Sequence, residues 1–412
     1  MAGAANATRC ARLIVFVSLI TGPAWALEVS DQQEAQLHAL FDQWDSDQTP
    51  GCSVAAMHHG RIVHTGTYGM ADLDHDVEIE PDTVFFAGSL SKQFTAAAVL
   101  LLVQDGKLSL DDYVRSYVRE LPDFEHKITV RHLIHHVSGL PDERKLLHLN
   151  GWRFTLDRIF QSDSLYVLGL QKRLLFEPGT QHLYSNTGYM LLAEIVARVS
   201  DKSFREFTSQ RLFKPLGMDR TFFRDDFLEV VPGKAHGYSR QKSTFRLFVT
   251  NYDTVGSTGL LTTTSDLLKW QLNFEEQKVG GDNFSAQLIT PGRLKDGQTL
   301  DYAFGLNHTN YRGQNVIAHA GGDAGYRAYL ARFPAHRFNI AILCNTILDP
   351  ASKAYQIADL LIPDKLDPKP LDANTAASDS EFEIGQGDLD KKEGRFWVSV
   401  PASTACLATL SA

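Results

Sequence analysis

The chain of 412 residues has only four cysteines. One of them, Cys10, precedes a predicted leader cleavage site, so it is not placed to carry a lipid anchor. Cys52, Cys344 and Cys406 remain, an odd number without metal-knuckle spacing or a disulfide framework. Cys52 and Cys344 fall in apolar, strand-like runs and read as buried free thiols. No block of Lys or Arg occurs, and the net charge is -9. Removing a leader that holds Arg9 and Arg12 but no acid makes the chain more acidic still, which argues against nucleic acid as a partner. Beyond the N-terminus no apolar run is long enough to span a bilayer. No G-x-S-x-G elbow is present, which argues against an α/β-hydrolase. No internal repeat is found. The alternating Asp72, Asp74 and Asp76 do not make a calcium loop: Val77 stands where an EF-hand needs Gly, and Thr83 where it needs Glu.

Hydrophobic residues at 43% and aromatics at 10% are globular values, and the length suffices for a core without covalent staples. Arg9 and Arg12, the apolar Leu13–Ile20 and the small-x-small Ala24-Trp25-Ala26 read as a signal peptide over residues 1–26, cleaved after Ala26. That predicts a periplasmic or secreted protein with no stable membrane span in the mature chain.

Leu27–Asp47 reads as a first helix, with Leu37, Leu40, Phe41 and Trp44 at helical spacing. Gly51–Met57 and Arg61–Tyr68, on either side of His58-His59-Gly60, read as a hairpin. Ala87–Leu102 is an alanine- and leucine-rich helical run that stops at Asp105-Gly106. Leu110–Val118, Val130–His136, Leu156–Leu170, Gly188–Ser200 and Ser203–Leu212 are read as helical. Ser265-Asp266 is expected to cap a helix through Trp270. Asn315–His319, Tyr326–Phe333 and Phe338–Cys344 are strands, and Ala351–Leu361 is a closing helix. The expected class is α+β (α/β): an antiparallel sheet from N- and C-terminal segments, flanked by helices, with a mostly helical lobe inserted at about 107–250. The domain plan is residues 27–362 as one unit, then 363–412 as a linker and the truncated start of a β-rich accessory domain.

Three pieces carry chemistry. Ser89 and Lys92 stand three apart at the head of the apolar helix, on one side of it. A hydroxyl beside an amine at a helix N-terminus has the parts of an activated nucleophile. A second Ser-x-x-Lys, Ser239–Lys242, has no apolar helix after it and reads as a chance match. Tyr184 and Asn186 alternate along an extended segment, so phenol and amide share a face. His319 precedes Ala320, Gly321 and Gly322 at a strand end, where glycine lets backbone approach a ligand. His132, His135 and His136 lack the Glu of a zincin motif and read as core histidines.

The ordered pieces T-V-F-F-A-G-S-L-S-K-Q-F-T-A-A-A, I-T-V-R-H-L-I-H-H-V-S-G-L-P-D, F-E-P-G-T-Q-H-L-Y-S-N-T-G-Y, G-S-T-G-L-L-T-T-T-S-D-L-L-K-W and H-A-G-G-D-A-G-Y run from about Asp47 to Leu361. In that order they resemble the serine β-lactamase and penicillin-binding protein superfamily, in particular the class C β-lactamase-like serine hydrolases. The resemblance implies that Ser89 attacks a carbonyl while Lys92 and Tyr184 move the proton, helped by cationic Lys92 and by His319 when protonated. It implies an oxyanion hole from the backbone N–H groups of Ser89 and Gly322, with Asn186 binding the acyl side. No metal or organic cofactor is implied, and the partner is a small ester, amide or peptide. His319-Ala320-Gly321 stands where many β-lactamases have Lys-Thr-Gly, which resembles the esterases and D-aminopeptidases of the group. The competing readings are a penicillin-binding or sensing protein that acylates without turnover, and an interaction protein acting through the C-terminal tail.

Overall fold

The computed structural model describes residues 27–154, 156–281 and 283–369. The predicted leader, Cys406 and most of the predicted linker and tail lie outside them.

A six-stranded antiparallel sheet organises the chain. Its strands are β1 (Cys52–His58), β2 (Arg61–Tyr68), β3 (Asn307–Tyr311), β4 (Gln314–Asp323), β5 (Tyr326–Phe333) and β6 (Phe338–Cys344), in the spatial order β3-β4-β5-β6-β1-β2. The first and last strands are therefore neighbours, with Cys52 opposite Cys344 and His58 opposite Phe338. The β1–β2 turn places His59 at φ 49° and Gly60 at φ 77°, two positive-φ residues that suit the twist of a tight hairpin. Every residue of β6 is buried, as expected for a strand covered on both faces.

Alternation along the strands divides the core in two. On the back face, Cys52, Val54, Ala56, Tyr329, Ala331, Phe333, Ile340 and Ile342 meet α1 (Asp31–Ala39) and the C-terminal helix, Pro350–Leu361. On the front face, Ala55, Met57, Ala328, Leu330, Ala341 and Leu343 meet a larger helical layer. That layer is built on α2 (Ser91–Gln104), apolar almost all round and buried from Ser91 to Leu102; such a helix belongs inside a protein. Around it lie α3 (Glu143–Leu149), α4 (Asn186–Ser200) and α5 (Thr264–Glu276), and α6 (Pro350–Leu361) is the back-face helix. Among the described residues no helix is long and apolar enough to cross a membrane.

Several expectations are corrected. Cys52 and Cys344 form a disulfide; they are cross-strand neighbours, which their separation of 292 residues hides. Leu27–Asp47 is helical only from Asp31 to Ala39, where Ser30 supplies a capping box, and ends in a single 3-10 turn, Asp42–Trp44. Leu110–Val118 holds only the turn Val114–Ser116. Its Asp112 carboxylate accepts from Ser109 N and Tyr117 Oη, local bonds that compete with a helix. In Leu156–Leu170 the helix starts at Gln161. The cap of α5 is Thr263, whose side chain accepts from Asp266 N. Strand β4 runs on past His319 to Asp323, so the glycines lie inside the strand. A Cβ at Gly321 would stand 2.1 Å from Ala87 O; glycine here permits β4 to lie on the turn before α2, where a loop had been read. Residues 363–369, expected as linker, stay on the body: Leu366 is buried and Arg312 Nε donates to Asp367 O.

Candidate active site

The front face of β4 and the head of α2 enclose a polar core. Ser89 sits in the 3-10 turn Gly88–Leu90 that leads into α2. Gly88 has φ 52°, and a Cβ there would lie 2.9 Å from Gly322 N, so the Ser89 turn and the Gly322 backbone abut. Strand β3 pairs with β4 only as far as Ala318. The stretch His319–Asp323 thus has a partner strand on one side, β5, and an open edge on the other.

Lys92 is fully buried. Its Nζ lies 3.0 Å from Ser89 Oγ and donates to Asn186 Oδ1 and to the Ser257 carbonyl, each at 2.9 Å. It stands 4.8 Å from the centre of the Tyr184 ring and 5.8 Å from that of Tyr189. Burial, and next the charge of Arg144, bring its pKa down to about 7. Asn186 opens α4, and its backbone N–H is held by Asp142 Oδ2 at 2.8 Å. The Tyr184 ring rests on His136, 4.3 Å between ring centres.

His319 is also buried, and burial followed by the charge of Lys92 pushes it down to about 3. Both causes disfavour the protonated form that would lend a cation to Tyr184 or to a ligand. Its Nδ1–H donates to Ala320 O at 2.6 Å, which leaves Nε2 as the acceptor facing the Tyr302 hydroxyl at 3.4 Å. The structure therefore gathers Ser89, Lys92, Asn186, Tyr184 and the Gly321–Gly322 backbone around one point. The second pair, Ser239–Lys242, lies in an exposed hairpin with Lys242 at φ 55°. His132 is taken up by the capping box it makes with Thr129.

The model of the family described as Beta-lactamase matches residues 34–361. The chain belongs to the β-lactamase family. A penicillin-binding protein of Bacillus subtilis (strain 168) is 30% identical over 338 residues, 77% of this chain and 73% of the relative. A D-aminopeptidase of Gluconobacter oxydans (strain 621H) is 28% identical over 320 residues, and the alignment spans 77% of this chain but 60% of that enzyme. Among solved structures, the octameric penicillin-binding protein homologue from Pyrococcus abyssi superposes with a TM-score of 0.66 at 26% identity, covering 82% of this chain and 76% of the other.

Within this β-lactamase-family scaffold, the sequence reading assigned no role to a group of buried charges beside the site. Glu143 is 1% exposed, and burial, then Asp142, push its carboxyl up to about 7. Thr187 Oγ1 receives the Glu143 N–H at 2.8 Å and lies 2.7 Å from both Pro141 O and Glu143 Oε2, two acceptors for its one proton. Donation to the Glu143 carboxyl offsets part of that rise. Asp323, at the end of β4, is buried and binds Arg144, Thr258 and Tyr252. The signal available in the sequence was the charged triplet Asp142-Glu143-Arg144 directly after the turn Ser138–Pro141, a place where loops carry function.

Proposed function

We propose that this protein is a secreted or periplasmic serine hydrolase that cleaves an ester or amide through an acyl-enzyme on Ser89. The observation that carries the reading is the set of partners around Lys92. A neutral amine has two N–H groups and one lone pair. Two of its three neighbours, Asn186 Oδ1 and the Ser257 carbonyl, can only accept. The third, Ser89 Oγ, is a hydroxyl that can donate its proton to the lone pair. Lys92 thus serves as the base that takes the Ser89 proton, its pKa near the operating pH as general-base chemistry favours. Tyr184, with its ring against Lys92, passes the proton to the leaving group. The backbone N–H groups of Ser89 and Gly322 take the oxyanion, and the contact of the Gly88 turn with Gly322 supports that pairing. Asn186 orients the acyl group. Water then releases the product and restores Ser89.

Esters and D-amino-acid peptides fit better than β-lactams. A β-lactam carboxylate calls for a cation and a hydroxyl; here His319 is held neutral and Ala320 has no hydroxyl. The missing anchor is worth on the order of 2–4 kcal/mol, roughly a hundredfold in kcat/KM. The Cys52–Cys344 bond supports an oxidising compartment. Purified protein and Ser89→Ala are to be compared by fluorophosphonate labelling and by turnover of a p-nitrophenyl ester, a D-amino-acid peptide and a chromogenic cephalosporin. Labelling and ester turnover lost in Ser89→Ala, with the cephalosporin slowest in wild type, is the expected result. A stable acyl-enzyme without turnover would replace the hydrolase by a penicillin-binding protein, and cephalosporin turnover at or above the ester would overturn the preference.

A further inference from the structure

One largely buried ion pair in the front layer makes no hydrogen bond to Lys92. Arg144, the second residue of α3, donates from Nη1 to Oδ2 of Asp323 at 3.2 Å. The same oxygen accepts from Thr258 Oγ1 at 3.1 Å and from the Tyr252 hydroxyl. The guanidinium lies over the Tyr252 ring at 4.7 Å. The two side chains are 21% and 2% exposed, and Arg144 Nη2 and Asp323 Oδ1 are buried without hydrogen-bond partners. The pair is therefore held in place while part of each charge stays unspent.

It reaches Lys92 by two short routes. On one side, Thr258 binds Asp323 and its neighbour Ser257 gives its carbonyl to Lys92 at 2.9 Å. On the other, Asp142, two residues before Arg144, holds Asn186 N at 2.8 Å, and Asn186 Oδ1 accepts from Lys92 at 2.9 Å. Lys92 touches no carboxylate; its three hydrogen-bond partners are all neutral. The charged or titratable groups facing it are Asp142, Glu143 and Arg144 from α3, Asp323 and His319 from β4, His136 after the helix Val130–Ile134, and the phenols Tyr184 and Tyr189. Burial pushes His319 and His136 toward the uncharged form and raises the Glu143 carboxyl, so Glu143 carries less than a full charge. Among these groups the positive charge is Arg144, against Asp142 and Asp323; Arg327 of β5 stands beside Gly322 and faces Asp323 from the other side.

We infer that the Arg144–Asp323 pair sets the protonation of Lys92 from outside the reacting groups: Arg144 opposes a second cation in the cavity and Asp323 moderates that opposition. In a buried site a fixed charge at this remove acts with little screening. Arg144 is thus a positioning residue for charge. The inference rests on the reading of Lys92 as the proton-transfer group.

The test is the pH dependence of kcat/KM for an uncharged p-nitrophenyl ester, in the full-length protein and in Ser89→Ala, Arg144→Gln, Arg144→Lys, Asp323→Asn and the Arg144→Gln/Asp323→Asn double variant. Losing Arg144 leaves Asp323 uncompensated and stabilises the ammonium, so the acid limb should move up by about one pH unit. Losing Asp323 frees Arg144, and the limb should move down by a similar amount. The double variant should return to within about 0.3 unit of wild type, and Arg144→Lys should stay there. Limbs that do not move in folded variants, or single variants that move the same way, overturn the inference. If Arg144→Gln does not fold, Asp323→Asn decides alone: a limb that stays or rises overturns it. Ester turnover surviving in Ser89→Ala overturns the function itself and this inference with it, a result that no Arg144 variant can mimic.

Discussion

The two faces of the one sheet are built on opposite principles. The back face is aliphatic and aromatic, closed by α1 and α6 and crossed by the Cys52–Cys344 bond. The front face, on alternate residues of the same strands, buries Ser53, His319, Asp323, Arg332 and Asn339 against a layer that itself buries Lys92, Glu143 and His136. Buried apolar area stabilises a fold at about 25 cal/mol per Å², whereas a buried ionisable group costs free energy unless fully compensated. Asn339 shows how far this goes: 0% exposed, its side-chain amide has no hydrogen-bond partner. The back face supplies stability, and the front face uses some of it to hold polar and ionisable groups in unfavourable surroundings.

The sharpest test of that division is Lys92→Met. It should lower ester kcat/KM by on the order of 10³-fold or more and at the same time raise stability by about 1–3 kcal/mol. Paired turnover and thermal melts measure both, and a less stable Lys92→Met would mean the lysine is there for the fold. Next in size is Tyr184→Phe. It keeps the ring against His136 and Lys92 and removes only the hydroxyl, so kcat should fall by roughly 10²–10⁴-fold with little change in melting temperature. An unchanged kcat would return Tyr184 to the packing.

On the back face the signs invert. Replacing Cys52 and Cys344 together by alanine should cost about 2–5 kcal/mol in denaturant unfolding and leave kcat within twofold; a large loss of kcat in the folded variant would show that the two faces are mechanically coupled. A further test separates two titrations. Lys92 is held at about 7 against an ordinary 10.5, so the unfolded chain binds more protons between those values and stability should rise with pH across that window. Glu143 is held at about 7 against 4.5; there the folded chain binds more protons, and stability should fall as pH climbs from about 4.5 to 7. The two together place a minimum near neutrality. Glu143→Gln should flatten the acid arm and Lys92→Met the alkaline one, read from unfolding midpoints against pH; a Glu143→Gln profile that keeps its acid arm would assign that arm to another group.

What the sequence made legible follows from distance along the chain. Ser89 and Lys92, or Tyr184 and Asn186, are set by one turn of helix or one repeat of extended chain, so their joint direction follows from spacing. Five strands of the sheet built from both ends were readable from their apolar or β-rich runs; β3, with the polar, partly exposed sequence N-H-T-N-Y, was not. The disulfide was not, since two cysteines inside apolar runs look alike whether paired or free, and only the β1–β6 register brings them together. The glycines of β4 were read as the end of a strand because glycine usually marks one; here they are needed for close approach to Ala87. The Arg144–Asp323 pair lay beyond local reasoning altogether, as its members are 179 residues apart. The direction of the His319 shift was not legible either, since a histidine takes its charge state from its surroundings, and burial beside Lys92 is visible only in three dimensions.

The place of β1 between β2 and β6 has a consequence for how the molecule comes into being. Synthesis runs from the N-terminus, yet the second edge of β1 has no partner until residues 338–344 exist. For most of translation the first hairpin is an open template with strand-like edges, a known invitation to mispairing. Closure must join segments some 290 residues apart, which makes assembly slow for its size. When β6 pairs with β1, that same seam is closed covalently by the bond between Cys52 and Cys344.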